Sequence, residues 1–304
     1  RRAAGATRFF TVQAYTGALL AERQVEALDA ALEAVGSHVT QAEAMHEQGL
    51  VTGLDARMAR LKASEIQVHR LSASAQARNA LSGLKALLNL PDATDLILSD
   101  ELSTLTSPSA CSLTDAEDSS DCSWDRRGDL AAYSAGVEAA SKGVKKAWAS
   151  QLPALAAFGA VGHYAQDASF SNGSGDWTVG IGLSWNPFNG LAGIGAVRAA
   201  RAEEAAVKAE RDAAYLQAEV EVLKARRMLE AAQEGAEVAS GAAAEARVAL
   251  EQAQARYASG TAPITELLDV QAASTNATLS ELSARRDLLL AHAALDLAYG
   301  VFDR

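Results

Sequence analysis

One helical hairpin occurs twice in this chain, and that repeat is the strongest constraint on its fold. Ala14 to Gln48 contains no proline and reads as helix; Gly49-Leu50-Val51-Thr52-Gly53 interrupts it, and a second helical run from Leu54 to Leu88 is stopped by Pro91. The same order returns downstream. A proline-free run from about Ala196 to Ser259 meets Gly260-Thr261-Ala262-Pro263, and a final helix from Ile264 to Tyr299 ends at Gly300. The copies align at an offset of 211 residues: Gly49 with Gly260, Asp55 with Glu266, Leu71 with Leu282, Leu84 with Leu295. In each, an acid stands six residues after the glycine. Any two Ala/Leu-rich helices align somewhere, so the shared chemistry of the break is what marks a duplication. The longer run, unbroken, reaches roughly 95 Å at the helical rise, with Leu216, Val220 and Leu223 on one apolar stripe.

Composition agrees with long helices. Hydrophobic residues make up 49% of the 304, yet aromatics only 5%, and there are 5 prolines. The apolar content is therefore largely alanine and leucine, which favour helices packed closely through small side chains. A net charge of -11 argues against nucleic acid, whose phosphates need clustered Lys and Arg, and against a basic membrane-surface helix. No apolar run is long enough for a transmembrane helix, and no signal peptide opens the chain. Cys111 and Cys122 lie in a Ser/Asp-rich stretch without CxxC spacing or a nearby histidine, which argues against a metal site. They are either two free surface thiols or a loop-closing disulfide, and a disulfide requires an oxidising compartment such as the periplasm.

Residues 155–186 break the helical pattern. Ser171-Asn172-Gly173-Ser174-Gly175-Asp176 is a turn signal. After it, Trp177, Val179, Ile181, Leu183 and Trp185 alternate strictly with Thr178, Gly180, Gly182, Ser184 and Asn186. That is a strand with one apolar and one small or polar face. Soluble sheets alternate too, but here the apolar face begins and ends in tryptophan. An outer-membrane strand needs that order: apolar residues for lipid, aromatics for the interfaces, polar residues for a wet lumen. Its length suits the 9–11 residues of a tilted membrane strand. Two strands cannot close a barrel, and lipid does not tolerate open edges, so the chain must oligomerise or pair with further strands. The first hairpin has no strand pair before it, and the chain is expected to begin partway into a longer protein whose upstream part holds a signal peptide and another strand pair.

Several stretches resemble the outer membrane efflux protein family, the TolC-like channels. WTVGIGLSWNPFNG, Trp177 to Gly190, looks like the family's second strand and its exit into a long helix. Arg127-Gly128-Asp129-Leu130 resembles the RPDL-type entry to the second repeat, with Gly in place of the usual Pro. YASGTAPITELLDVQ, Tyr257 to Gln271, resembles the helix-turn near the periplasmic tip. The resemblance implies a mainly α fold with a membrane β-hairpin, in which long antiparallel helical hairpins form a trimeric α-barrel tunnel joined to an outer-membrane β-barrel. The chain then divides into a first-repeat helical hairpin over 1–91, a loop-rich equatorial segment with the two cysteines over 92–127, a helix over 128–153, the strand pair over 154–187, and the second-repeat hairpin over 188–304.

The function so implied is a passive outer-membrane conduit of a tripartite efflux or type I secretion system. The implied partners are two further copies of the chain, a periplasmic adaptor, an inner-membrane transporter and outer-membrane lipid, with no cofactor and no nucleic acid. The chain has no GxSxG, HExxH or phosphate loop, and Gly193-Ile194-Gly195 lacks a third glycine, so no enzyme is expected. His38, His46, His69, His163 and His292 are scattered and read as packing or surface residues. By resemblance, Asp55, Tyr257, Glu266 and Asp269 fall at the tunnel entrance, where symmetry gathers carboxylates into cation-favouring rings; acids in a first helical turn also simply complement the dipole. Gly49, Leu50, Val51, Gly260, Thr261 and Ala262 form the tips that meet the adaptor, or are plain turn chemistry. Some members carry arginine at the place of Ala262, so a latch built on that arginine is not expected here. Trp177, Val179, Ile181, Leu183 and Trp185 face lipid. Two alternatives are an α-helical pore-forming toxin, which needs no duplicated hairpin, and a periplasmic adaptor or coiled-coil scaffold, which needs no tryptophan-flanked strand.

Overall fold

Long runs of strong helix formers, punctuated by glycine and proline, produce five helices and one β-hairpin among the described residues of the computed structural model of the chain. It describes residues 2–100, 102, 127–165 and 173–301. The order is α1 (Arg2–Glu47), α2 (Gly53–Leu87), α3 (Gly128–Ala149), β1 (Ala154–Ala165), β2 (Gly173–Ser184), α4 (Ala192–Ala258) and α5 (Ile264–Tyr299). Cys111 and Cys122 lie outside the described residues.

The helix boundaries repeat at the same 211-residue spacing as the sequence. α1 ends at Glu47 and α4 at Ala258; α2 starts at Gly53 and α5 at Ile264. The breaks are closed identically. Gly49 and Gly260 adopt φ of 74° and 72°, and in each copy the glycine N–H donates three residues back while the next N–H donates five residues back: Gly49 to His46 and Leu50 to Met45, Gly260 to Tyr257 and Thr261 to Arg256. This is a Schellman cap, and it needs the left-handed conformation that glycine adopts freely. The next helix ends match as well, with Asn89 at φ 53° and Gly300 at φ 71°.

The chain forms two compact units, Arg1–Gly128 with Ala218–Arg304, and Asp129–Gln217. In the first, α1 packs against α2 and α5. Its core is a chain of clusters. One joins Leu28, Val35, Ile66, Tyr257, Ile264 and Leu267 from all four helices, another joins Val222 and Leu229 of α4 to Leu295 and Tyr299 of α5, and a third joins Leu19, Leu84 and Leu98. Buried Ala18, Ala31, Ala56, Ala59 and Ala73 let the helices approach closely, which is how a chain with so few aromatics builds a core. Arg127 enters the same unit almost fully buried, 2.7 Å from Glu221 and donating to the Ala298 carbonyl at 3.3 Å.

The second unit holds α3, the hairpin and the start of α4. β1 and β2 pair antiparallel over their whole length, with Leu155 opposite Leu183, Ala157 opposite Ile181, Gly159 opposite Val179 and Val161 opposite Trp177. Among the described residues, no helix is long and apolar enough to cross a membrane.

Candidate functional site

The β-hairpin is amphipathic on both strands. Strand alternation places Leu155, Ala157, Gly159 and Val161 of β1 on the same face as Trp177, Val179, Ile181 and Leu183 of β2. That face is bare within the chain: Val161 is 89% exposed, Trp177 76% and Ile181 76%. The sequence pattern of β1 does not reveal this, because alanine and glycine fill both of its faces. The opposite face carries Asp176, Thr178, Gly180, Gly182 and Ser184 against Gly162, Ala160, Phe158, Ala156 and Ala154. Phe158 is the exception to its small and polar character. Its ring lies over Gly180, where an added Cβ would come within 2.6 Å of the ring. At Gly182 the nearest ring carbon is 4.0 Å away, so that site has room.

Trp185 falls one residue beyond β2. Its indole N–H donates to the Gln151 carbonyl at 3.3 Å, tying the end of β2 to the turn before β1. Gly193 lies against the Gln151 side chain so closely that a Cβ there would be 1.9 Å from Oε1. Close helix–turn packing, rather than ligand binding, accounts for this glycine.

The residues read as the entrance sit around the two glycine breaks, in different environments. Tyr257 is 1% exposed, packed among Leu28, Val35 and Leu267, and its hydroxyl has no partner among the described residues. Burial, and then the Asp55 carboxylate, push its pKa above the ordinary value. Asp55 accepts from Thr52 Oγ1 at 3.0 Å in the first turn of α2. Glu266 is ion-paired with Arg256 across the second break. Asp269 is exposed and borders a shallow groove with Met58, Lys62 and Glu65 of α2. Asp55 and Tyr257 are thus brought together, whereas Glu266 is engaged by a cation of its own chain. At the tips Gly49, Leu50, Gly260 and Thr261 are exposed, Val51 is half-buried and Ala262 is buried. Among the described residues no group of three His, Cys, Asp or Glu is placed to hold a metal ion.

Two features escaped sequence reasoning. Arg127 lies in the motif that resembles the repeat entry, but only the structure shows it buried on Glu221. His38 and His292 are packing residues, but the sequence does not show that burial pulls the pKa of both below the ordinary histidine value.

Comparison with known proteins extends these observations. The family model described as "Outer membrane efflux protein" matches residues 123–301. No curated protein matches the chain. Among solved structures, the chain is similar to the outer-membrane channel OprN at 22% identity and TM-score 0.79, over 98% of this chain and 67% of that one. It is similar to the outer membrane protein VceC of Vibrio cholerae at 20% identity and TM-score 0.76, over 97% and 70%. The open state of the Neisseria gonorrhoeae MtrE outer membrane channel gives 20% identity and TM-score 0.78, over 98% and 67%. At these identities the likeness is one of fold.

Proposed function

Since the chain belongs to the outer membrane efflux protein family, we propose that it is a channel subunit of a tripartite export system, a passive conduit through the outer membrane and periplasm. The family and fold place it at the outer membrane. The observation that carries the function is the bare apolar face shared by β1 and β2. A water-exposed stripe of Trp, Val, Ile and Leu on a two-stranded sheet is unstable by itself. It becomes favourable when lipid covers it and neighbouring strands close its edges. The subunit therefore assembles as a homotrimer, with its helices forming the periplasmic tunnel and its tips at Gly49–Val51 and Gly260–Thr261 meeting a periplasmic adaptor that couples it to an inner-membrane pump. Buried Ala262 contributes to the fold of the tip rather than to contact. Drug or small-molecule efflux and type I secretion both fit such a conduit.

The test is reconstitution into planar bilayers. Detergent-dependent protein that inserts and conducts is the expected result. Protein that stays soluble without detergent and gives no conductance overturns the channel reading in favour of an adaptor or scaffold.

A further inference from the structure

The two helix ends that flank the hairpin carry the same gradient. Before the hairpin, Leu152 lies in the turn after α3, and Trp148 and Lys145 follow on α3 itself at helical spacing. After the hairpin, Leu191 immediately precedes α4 with φ 69°, and Ile194, Arg198 and Arg201 follow on one face of α4. All seven are exposed, with Leu152 at 66%, Trp148 at 55%, Leu191 at 65% and Ile194 at 54%. The buried residues of α4 here, Gly193 and Val197, lie on a different side, Gly193 against Gln151. Each helix end therefore has apolar side chains next to the strands, Trp148 among them on the α3 side, and cations one to two turns further on, about 5 to 11 Å down the axis.

The charge distribution is local. Between Glu138 and Glu203 the described residues contain Lys142, Lys145, Lys146, Arg198 and Arg201 but only one acid, Asp176. Asp176 pairs with Gly162, near the far end of the hairpin. Lys142 has its own partner in Glu138. This basic collar stands in a chain of net charge -11, so it does not follow from overall composition.

We propose that the collar binds the headgroups of anionic phospholipids in the leaflet on the helical side of the hairpin. The inference rests on the lipid-facing reading of β1 and β2. The headgroup zone on each side of the hydrocarbon is about 5–8 Å thick. Trp148, Leu152, Leu191 and Ile194 fit its apolar boundary, where tryptophan is favoured. Long Lys and Arg side chains starting just below reach back to the phosphates, and each cation near an anionic surface strengthens binding roughly fivefold.

The test compares wild-type protein with a variant carrying Lys145→Gln, Lys146→Gln, Arg198→Gln and Arg201→Gln, reconstituted in phosphatidylcholine vesicles with and without phosphatidylglycerol. A second variant, Arg78→Gln, Lys224→Gln, Arg227→Gln and Arg247→Gln, removes four exposed cations away from the collar and controls for charge alone. Wild type and control should incorporate at least tenfold better into phosphatidylglycerol vesicles at low salt, while the collar variant should lose the preference yet insert equally into phosphatidylcholine. Excess glycerol phosphate in solution should leave the wild-type preference intact; its abolition would assign the site to a free phosphate and overturn the lipid proposal. Equal incorporation of wild type in both vesicle types overturns the collar and leaves the channel reading standing. Failure to associate with either vesicle overturns both.

Discussion

Single residues set the tips and the buried polar sites. Gly49 and Gly260 have open space where a Cβ would go, so replacing either by alanine should act through the backbone alone. The left-handed conformation costs an alanine about 1–2 kcal/mol, and denaturant midpoints of Gly49→Ala and Gly260→Ala should both fall. Tyr257 gives the opposite pair of outcomes. Its ring fills the core but its hydroxyl is unpartnered, so Tyr257→Phe should retain stability and Tyr257→Ala should lose about 3–5 kcal/mol. His38 and His292 make stability depend on pH. Their folded pKa values are lowered from 6.5 by burial, so protonation favours the unfolded chain. Stability is full above that value and declines as pH falls below it. Thermal unfolding from about pH 8 to about pH 5 should show the decline, and His38→Leu with His292→Leu should flatten it.

Among the elements, the hairpin has two chemically distinct faces. Ile181 points to the bare apolar side and Gly182 to the other. Arginine at Ile181 should destabilise the membrane-inserted protein by about 2–4 kcal/mol if the site lies near midplane. Arginine at Gly182, where Phe158 leaves 4.0 Å, should be tolerated better, and equal tolerance in vesicle folding assays would contradict the lipid assignment. At the start of α3, Arg127 pairs with Glu221 while almost fully buried. Glu221→Gln takes this carboxylate away from a guanidinium that stays buried, for which about 3 kcal/mol is expected. Arg127→Gln removes the buried charge and leaves a carboxylate that is a third exposed, so it should be milder. The same chemical denaturation measurement checks both.

The whole assembly decides how charge meets the conduit. Three copies of Asp55 and Asp269 at the tips would form acidic rings that favour cations. Glu266 already faces Arg256 of its own chain, so its charge contributes less to such a ring. Asp55→Asn with Asp269→Asn should therefore reduce cation selectivity and divalent block in planar bilayers more than Glu266→Gln does. Unchanged selectivity in the double variant would return these acids to the role of completing helix starts; the channel reading would stand on the hairpin.

The duplicated hairpins and the membrane strand were legible in the sequence because their signals are local. Proline-free helical runs, a glycine-centred break and a period-two stripe each depend on residues within a few turns of one another. β1 is expected as the partner strand, but its apolar side was hidden, because Ala and Gly on both faces blur its alternation until pairing with β2 assigns a side. The ion partners of Arg127 and Glu266, the burial of Tyr257 and Ala262, and the lowered pKa values of His38 and His292 were not legible either. Each depends on which helix packs against which. Arg127 and Glu221 are distant in sequence, and only tertiary packing brings them together and buries the guanidinium.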